Sequence, residues 1–159
     1  ASRIALMLNH AQRATAGTGV RLAIEDFPLD NAAKDFFREE LGEVYGDSRT
    51  GILVDVGHLH LRRSQSRHFA ALSVADYFAR IPVPIVELHL HDNDGNKDQH
   101  GHFGFGTVPL GEVAQAVTGI GFDGMSTIEI APGFHGSTPE ASWDKAVASL
   151  KKWRELLGV

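Results

Sequence analysis

The sequence predicts an α/β fold of parallel strands, about four strand–helix units long. Short apolar runs at Val20–Glu25, Gly51–Val56, Ile85–His91 and Met125–Ile130 alternate with stretches of helical period. Strict β–α alternation requires parallel pairing with right-handed crossovers, because each helix must carry the chain back to the start of the next strand. No composition shift interrupts the rhythm, so residues 1–159 are expected to form a single partial barrel domain.

The elements follow from local chemistry. Residues 3 to 16 repeat apolar positions Ile4, Leu8, Ala11 and Ala14 at helical spacing, and Gly17-Thr18-Gly19 ends the helix. Val20–Glu25 is a short strand stopped by Asp26-Phe27-Pro28. From Asn31, a suitable N-cap, to Val44 the pattern is helical, with Phe36, Phe37, Leu41 and Val44 on one side. Gly51–Val56 is almost wholly apolar, as in a strand buried on both faces.

A polar loop is expected from Arg62 to Arg67, then a helix from His68 to Arg80 ended by Pro82 and Pro84. Ile85–His91 alternates apolar and polar residues, the pattern of a strand with one polar face. Asp92-Asn93-Asp94-Gly95 breaks it with turn chemistry. Pro109 opens a helix running to Thr118, and Gly119 and Gly121 close it. Met125–Ile130 is the fourth strand, and Thr138-Pro139-Glu140 caps a final helix to Leu157.

Composition narrows the function classes. With 159 residues, 43% of them hydrophobic, the chain has enough apolar mass for one core. It shows neither a membrane-spanning apolar run nor a signal-peptide pattern. It has no Cys, which excludes disulfides and thiolate ligands and is compatible with a reducing cytoplasm, the expected location. A formal net charge of −5 argues against a protein that mainly grips a phosphate backbone, so nucleic acid is an unfavoured partner.

The chemistry concentrates at the strand ends. Glu25, Asp55, His89 and Glu129 each fall at or near the C-terminal end of a different predicted strand. In (β/α) barrels the active site is built on that face, from the ends of several strands. Neighbouring strands lie about 4.8 Å apart, so four such side chains can converge on one divalent cation. Two Glu, one Asp and one His suit Mn²⁺, Zn²⁺ or Mg²⁺. Taken singly, each carboxylate is equally well a helix cap or turn residue; the repeated position is the signal. His58, three residues after Asp55, and the pair Asp98 and His100 form a second tier that would bind another ion, hold substrate or brace the first set. His10, His60, His68, His102 and His135 read as surface residues. Arg62, Arg63 and Arg67 read as a solvated loop before they read as phosphate contacts. Gly101 to Gly106 lacks a dinucleotide fingerprint and reads as turn glycines.

The succession of Ile24-Glu25, Asp55-Val56-Gly57-His58, His89-Leu90-His91-Asp92, Asp98-Gln99-His100, Gly104-Phe105-Gly106 and Thr127-Ile128-Glu129-Ile130 resembles the C-terminal half of the xylose-isomerase-like TIM barrels. That superfamily holds sugar and sugar-phosphate isomerases and epimerases, and also AP endonucleases of family 2. The likeness runs from about Val20 to the end of the chain. It implies that Glu25, Asp55, His89 and Glu129 ligate a divalent metal ion, that Glu25 and Glu129 are the catalytic acid/base pair, and that His58 contacts a sugar. Proton transfer would then pass through an enediolate. The endonuclease branch implies instead a zinc-dependent phosphodiester hydrolase in which His58, Asp98 and His100 ligate a further zinc ion. That branch also uses two histidines from earlier strands, which this sequence does not supply. Glu25-Asp26-Phe27-Pro28 and the turn after His91 are more similar to the isomerase branch. A third alternative is a metal-binding remnant without turnover.

Four units make half of an eight-stranded barrel, which takes about 250 residues. A homodimer or an N-terminal half-barrel absent from this chain is therefore expected to complete it.

Overall fold

A computed structural model of the chain describes residues 3–25, 49–81, 83–131 and 138–159, and the side chains within them except those of Ile4 and His68. The helix expected over 31–44, the Asp26-Phe27-Pro28 stop and His135 lie outside the described residues.

Helix α1 (Arg3–Ala14) leads into β1 (Leu22–Glu25). Strand β2 (Thr50–Asp55) passes directly into α2 (Val56–Gln65), followed by the short helices α3 (Arg67–Ala70) and α4 (Val74–Ala79). Then come β3 (Ile85–Leu90), α5 (Leu110–Gly119), β4 (Met125–Ile128) and α6 (Pro139–Leu157). The four strands form one sheet in the order β1-β2-β3-β4, every pair parallel.

Two expectations differ. The single helix expected over His68 to Arg80 is two short helices, α3 and α4, broken at 71–73, where Ser73 starts a new helix by accepting from the N–H of Asp76 at 3.0 Å. Most of the stretch expected to be a loop, Arg62 to Arg67, is the end of α2. The cause is Asp55, whose carboxylate accepts from the backbone N–H of His58 at 2.8 Å and caps the helix the moment the strand stops. The strand-to-helix turn consumes no linker, and a ligand candidate doubles as the cap. At the far end Thr138 caps α6 by accepting from the N–H of Ala141, with Pro139 in the first turn, as its sequence predicts.

Burial follows strand periodicity. Every residue of β2 is buried, and Ile52 and Val54 join the core. In β3, Val86, Leu88 and Leu90 are buried while Glu87 and His89 are half-buried on the opposite face. Leu88 and Leu90 pack with Leu59 of α2, Tyr77 and Phe78 of α4, Val113 and Val117 of α5, and Trp153 of α6. The helices thus cover one face of the sheet and leave the other to polar side chains. Parallel register then sets the height of each one. Asp55 pairs with His89, His89 with Thr127, and the N–H of Glu129 donates to the carbonyl of Leu90 at 3.0 Å.

Candidate functional site

On the polar face the strand ends converge. Ligand-type atoms of Glu25, Asp55 and His89 lie within 4.8 Å of one another, as do those of Asp55, His91 and Glu129. His89 Nδ1 stands 3.0 Å from Glu129 Oε2 and 3.8 Å from Glu25 Oε1, and its Nε2 is 3.5 Å from Glu87 Oε1. Glu87 is fixed in turn by the hydroxyl of Thr127, which donates to it at 2.9 Å. His89 Nδ1 and Glu129 Oε2 are both buried, and among the described residues neither has a hydrogen-bond partner. Buried polar atoms are rarely left so. Two such atoms, a lone-pair nitrogen and a carboxylate oxygen facing each other, fit a divalent cation held between them.

A second cluster lies beside the first. Asp98 Oδ2 is 2.9 Å from His58 Nε2 and 3.2 Å from His100 Nε2, and Asp98 Oδ1 is 3.8 Å from His91 Nε2. His58, His91, Asp98 and His100 bring ligand-type atoms within 4.8 Å of one another. His100 Nδ1 is also 3.7 Å from Glu129 Oε2, so the two clusters touch.

The loop that returns Asp98 and His100 to the strand ends is organised by Asp92, which is buried. Its Oδ1 accepts from the N–H of Asn93 at 2.9 Å and of Val108 at 3.0 Å; its Oδ2 accepts from the N–H of Gly104 at 2.9 Å. Its backbone exchanges two 2.8 Å hydrogen bonds with Gly101. Buried Asn93 donates to the carbonyl of Gly57 and accepts from the N–H of Gly95. Asp94 closes an Asx turn in which the backbone N–H of Asn96, followed by that of Lys97, holds its carboxyl below the ordinary value. His100 adopts φ +43°, in the left-handed region, held by the Gly101 bridge and by the N–H of Ala131 on its own carbonyl. Such backbone strain gathers at functional sites.

Seven predicted site residues, Glu25, Asp55, His58, His89, Asp98, His100 and Glu129, therefore lie in two adjoining clusters. The member with no predicted role is His91. It is fully buried, and its Nε2 lies 2.9 Å from Asp55 Oδ1. Period two was the available signal: Glu87, His89 and His91 share one face. Among the histidines expected at the surface, His10 is exposed. His60 is half-buried and bonds the Thr107 hydroxyl through Nε2 at 2.9 Å. Arg63 points toward Glu112 of α5, at 4.0 Å.

Burial works against a charged Asp55, but the hydrogen bond and charge of His91, with the His58 N–H, outweigh it and hold the carboxyl below its ordinary value. Burial likewise disfavours a protonated His91, and Asp55 outweighs it, so that ring is held above its ordinary value. The stability from Asp55 is present above 3.8 and lost as pH falls through the depressed value. That from His91 is present below 6.5 and lost as pH rises through the raised one. Thermal melts of metal-free protein from acid to neutral pH should place the pair's full contribution between these values, and His91→Phe should flatten both flanks.

No described helix is long and apolar enough to cross a membrane. The chain is similar to the uncharacterized protein MJ1311 of Methanocaldococcus jannaschii, 28% identical over 114 residues, which are 70% of this chain and 37% of that protein. It is similar to fructoselysine 3-epimerase of Shigella flexneri, 35% identical over 57 residues, or 36% of this chain and 21% of that one. Its fold matches the crystal structure of a D-tagatose 3-epimerase-like protein with a TM-score of 0.63 and 23% identity, covering 98% of this chain and 53% of the other. The chain thus spans about half, or less, of the length of these relatives. Residues 1–153 match the family described as xylose isomerase-like TIM barrel, and the chain belongs to that family.

Proposed function

We propose that this chain carries the metal-binding half of a sugar or sugar-phosphate isomerase or epimerase. The observation that carries the reading is that Glu25, Asp55 and His89, at the ends of three strands, bring ligand-type atoms within 4.8 Å of one another. Glu129, one residue past β4, meets His89 at 3.0 Å, with His89 Nδ1 and Glu129 Oε2 buried and facing each other. These residues would hold a divalent cation, Mn²⁺ or Zn²⁺ with Mg²⁺ as the third option. Such an ion, when bound, lowers the cost of negative charge on a sugar carbonyl oxygen. Glu25 and Glu129 approach His89 from the two outer strands. One, ionised, takes a proton from the carbon beside the carbonyl, and the other, protonated, delivers its own proton at the neighbouring carbon or on the opposite face. His58, half-buried at the start of α2, would bond a sugar hydroxyl. Residues 1–159 act as one partial barrel domain, completed by an N-terminal half-barrel or by a second copy.

The test is incorporation of deuterium from D₂O into ketoses and ketose phosphates, with Mn²⁺ and with chelator, alongside the protein's mass in solution. Exchange at the carbon beside the carbonyl that requires metal is expected. Absence of exchange with metal bound and the barrel completed would overturn the assignment.

The His58, Asp98 and His100 cluster favours a second reading, a zinc-dependent AP endonuclease-like hydrolase. Several zinc ions per chain and nicking of an abasic-site duplex would select it.

A further inference from the structure

We propose that His91 is a positioning residue of the metal centre: its ring fixes the Asp55 carboxylate and, stacked on His100, ties the two ligand clusters together. The inference rests on the metal-binding reading above and adds a residue that does not itself need to touch the ion.

The ring is built into the fold. It is fully buried, and its Nε2 lies 2.9 Å from Oδ1 and 3.2 Å from Oδ2 of Asp55. An ionised carboxylate only accepts, so Nε2 carries the proton and donates it to Asp55. The same Asp55 Oδ1 accepts from the His58 N–H at 2.8 Å. Two donors from different elements therefore leave the carboxylate one orientation. On its other flank the imidazole stacks on His100, centroids 4.1 Å apart and planes 14° from parallel, and it meets His58 edge-on at 5.8 Å. One rigid ring thus touches the cap residue of β2 and two histidines of the second cluster.

Gly57 shows how tightly the place is cut. A Cβ at that position would run into the His91 ring itself, so the first turn of α2 comes as close to the imidazole as a side-chain-free residue permits. A buried ring wedged between that turn and His100 cannot swing to release Asp55. Partners of this kind behind metal ligands commonly govern affinity by 10- to 100-fold.

The experiment is titration of the purified chain with Mn²⁺, reading free ion by electron paramagnetic resonance, in wild type, His91→Phe and His91→Gln, with thermal melts of each. Phe keeps a ring for the stack and loses the donor; Gln restores an N–H near the position of Nε2. Phe should weaken Mn²⁺ binding by about 10- to 100-fold, and Gln should recover most of that loss. Should the Phe variant fail to fold, His91→Met against His91→Gln makes the same comparison between unbranched side chains of similar length. Wild-type affinity in the donorless variant overturns the proposal, and so does a Gln variant as weak as the donorless one. A wild-type chain that binds no Mn²⁺ is a different failure: it removes the metal-binding reading, and this role with it.

Discussion

Glu129→Gln should slow exchange of substrate hydrogen with solvent by about 100- to 10,000-fold, the usual contribution of a positioned acid or base, and Glu25→Gln should do the same. The substitution keeps shape and removes the proton-accepting charge. Glu129 is the more informative of the two. Its Oε2 lies 3.0 Å from His89 and 3.7 Å from His100, so it touches both clusters. Losing its charge should therefore weaken metal binding as well as proton transfer. The two effects separate by measuring exchange at saturating Mn²⁺ and affinity independently. If both variants exchange hydrogen at the wild-type rate with metal bound, the glutamates are not the acid/base pair.

Asp92→Ala should cost about 3 kcal/mol or more of stability. Three backbone N–H groups, those of Asn93, Gly104 and Val108, lose their acceptor at once. Each orphaned buried donor costs about 1–3 kcal/mol, and the hydrogen bonds from Asn93 and Val108 are buried while that from Gly104 is half-buried. At about 2–4 °C per kcal/mol for a chain of this size, the melting midpoint should fall by roughly 10 °C. Asp92→Asn retains one acceptor oxygen and should lose less. Because the segment between Asp92 and Val108 carries Asp98 and His100, the Ala variant should also loosen the second cluster, readable as lost affinity for any additional ion. A melting curve matching wild type would mean the three hydrogen bonds are not what holds this loop.

The residue pattern was enough for several features, and the reason is local in each case. Period two in Ile85–His91 marks which side chains face away from the helices, since alternation survives whatever the strand packs against. Thr138 and Pro139 announce their helix because capping is settled within one turn. The repeated position of Glu25, Asp55, His89 and Glu129 was legible for the same reason: each ends its own apolar run.

Other features were decided beyond the reach of a local pattern. The helix over Val56–Gln65 read in part as loop because its polar face, with Arg62 and Arg63 near its end, is set by where α2 sits on the sheet. Period two put His91 on the polar face, but nothing local marked it as the partner of Asp55. Its importance comes from Asp55 and Gly57, 36 and 34 residues away in the chain, brought against it by parallel pairing of β2 with β3. The return of Asp98 and His100 to the strand ends likewise depends on Asp92 gathering distant N–H groups.

By itself the sequence determined where the four strands lie, the Thr138 cap and which residues of Ile85–His91 face the polar side, because those obey local periods and one-turn capping. Tertiary structure alone decided which of those residues meet. Ångström-scale distances between side chains depend on register and on a loop folded back upon a buried carboxylate, and neither leaves a trace in neighbouring positions.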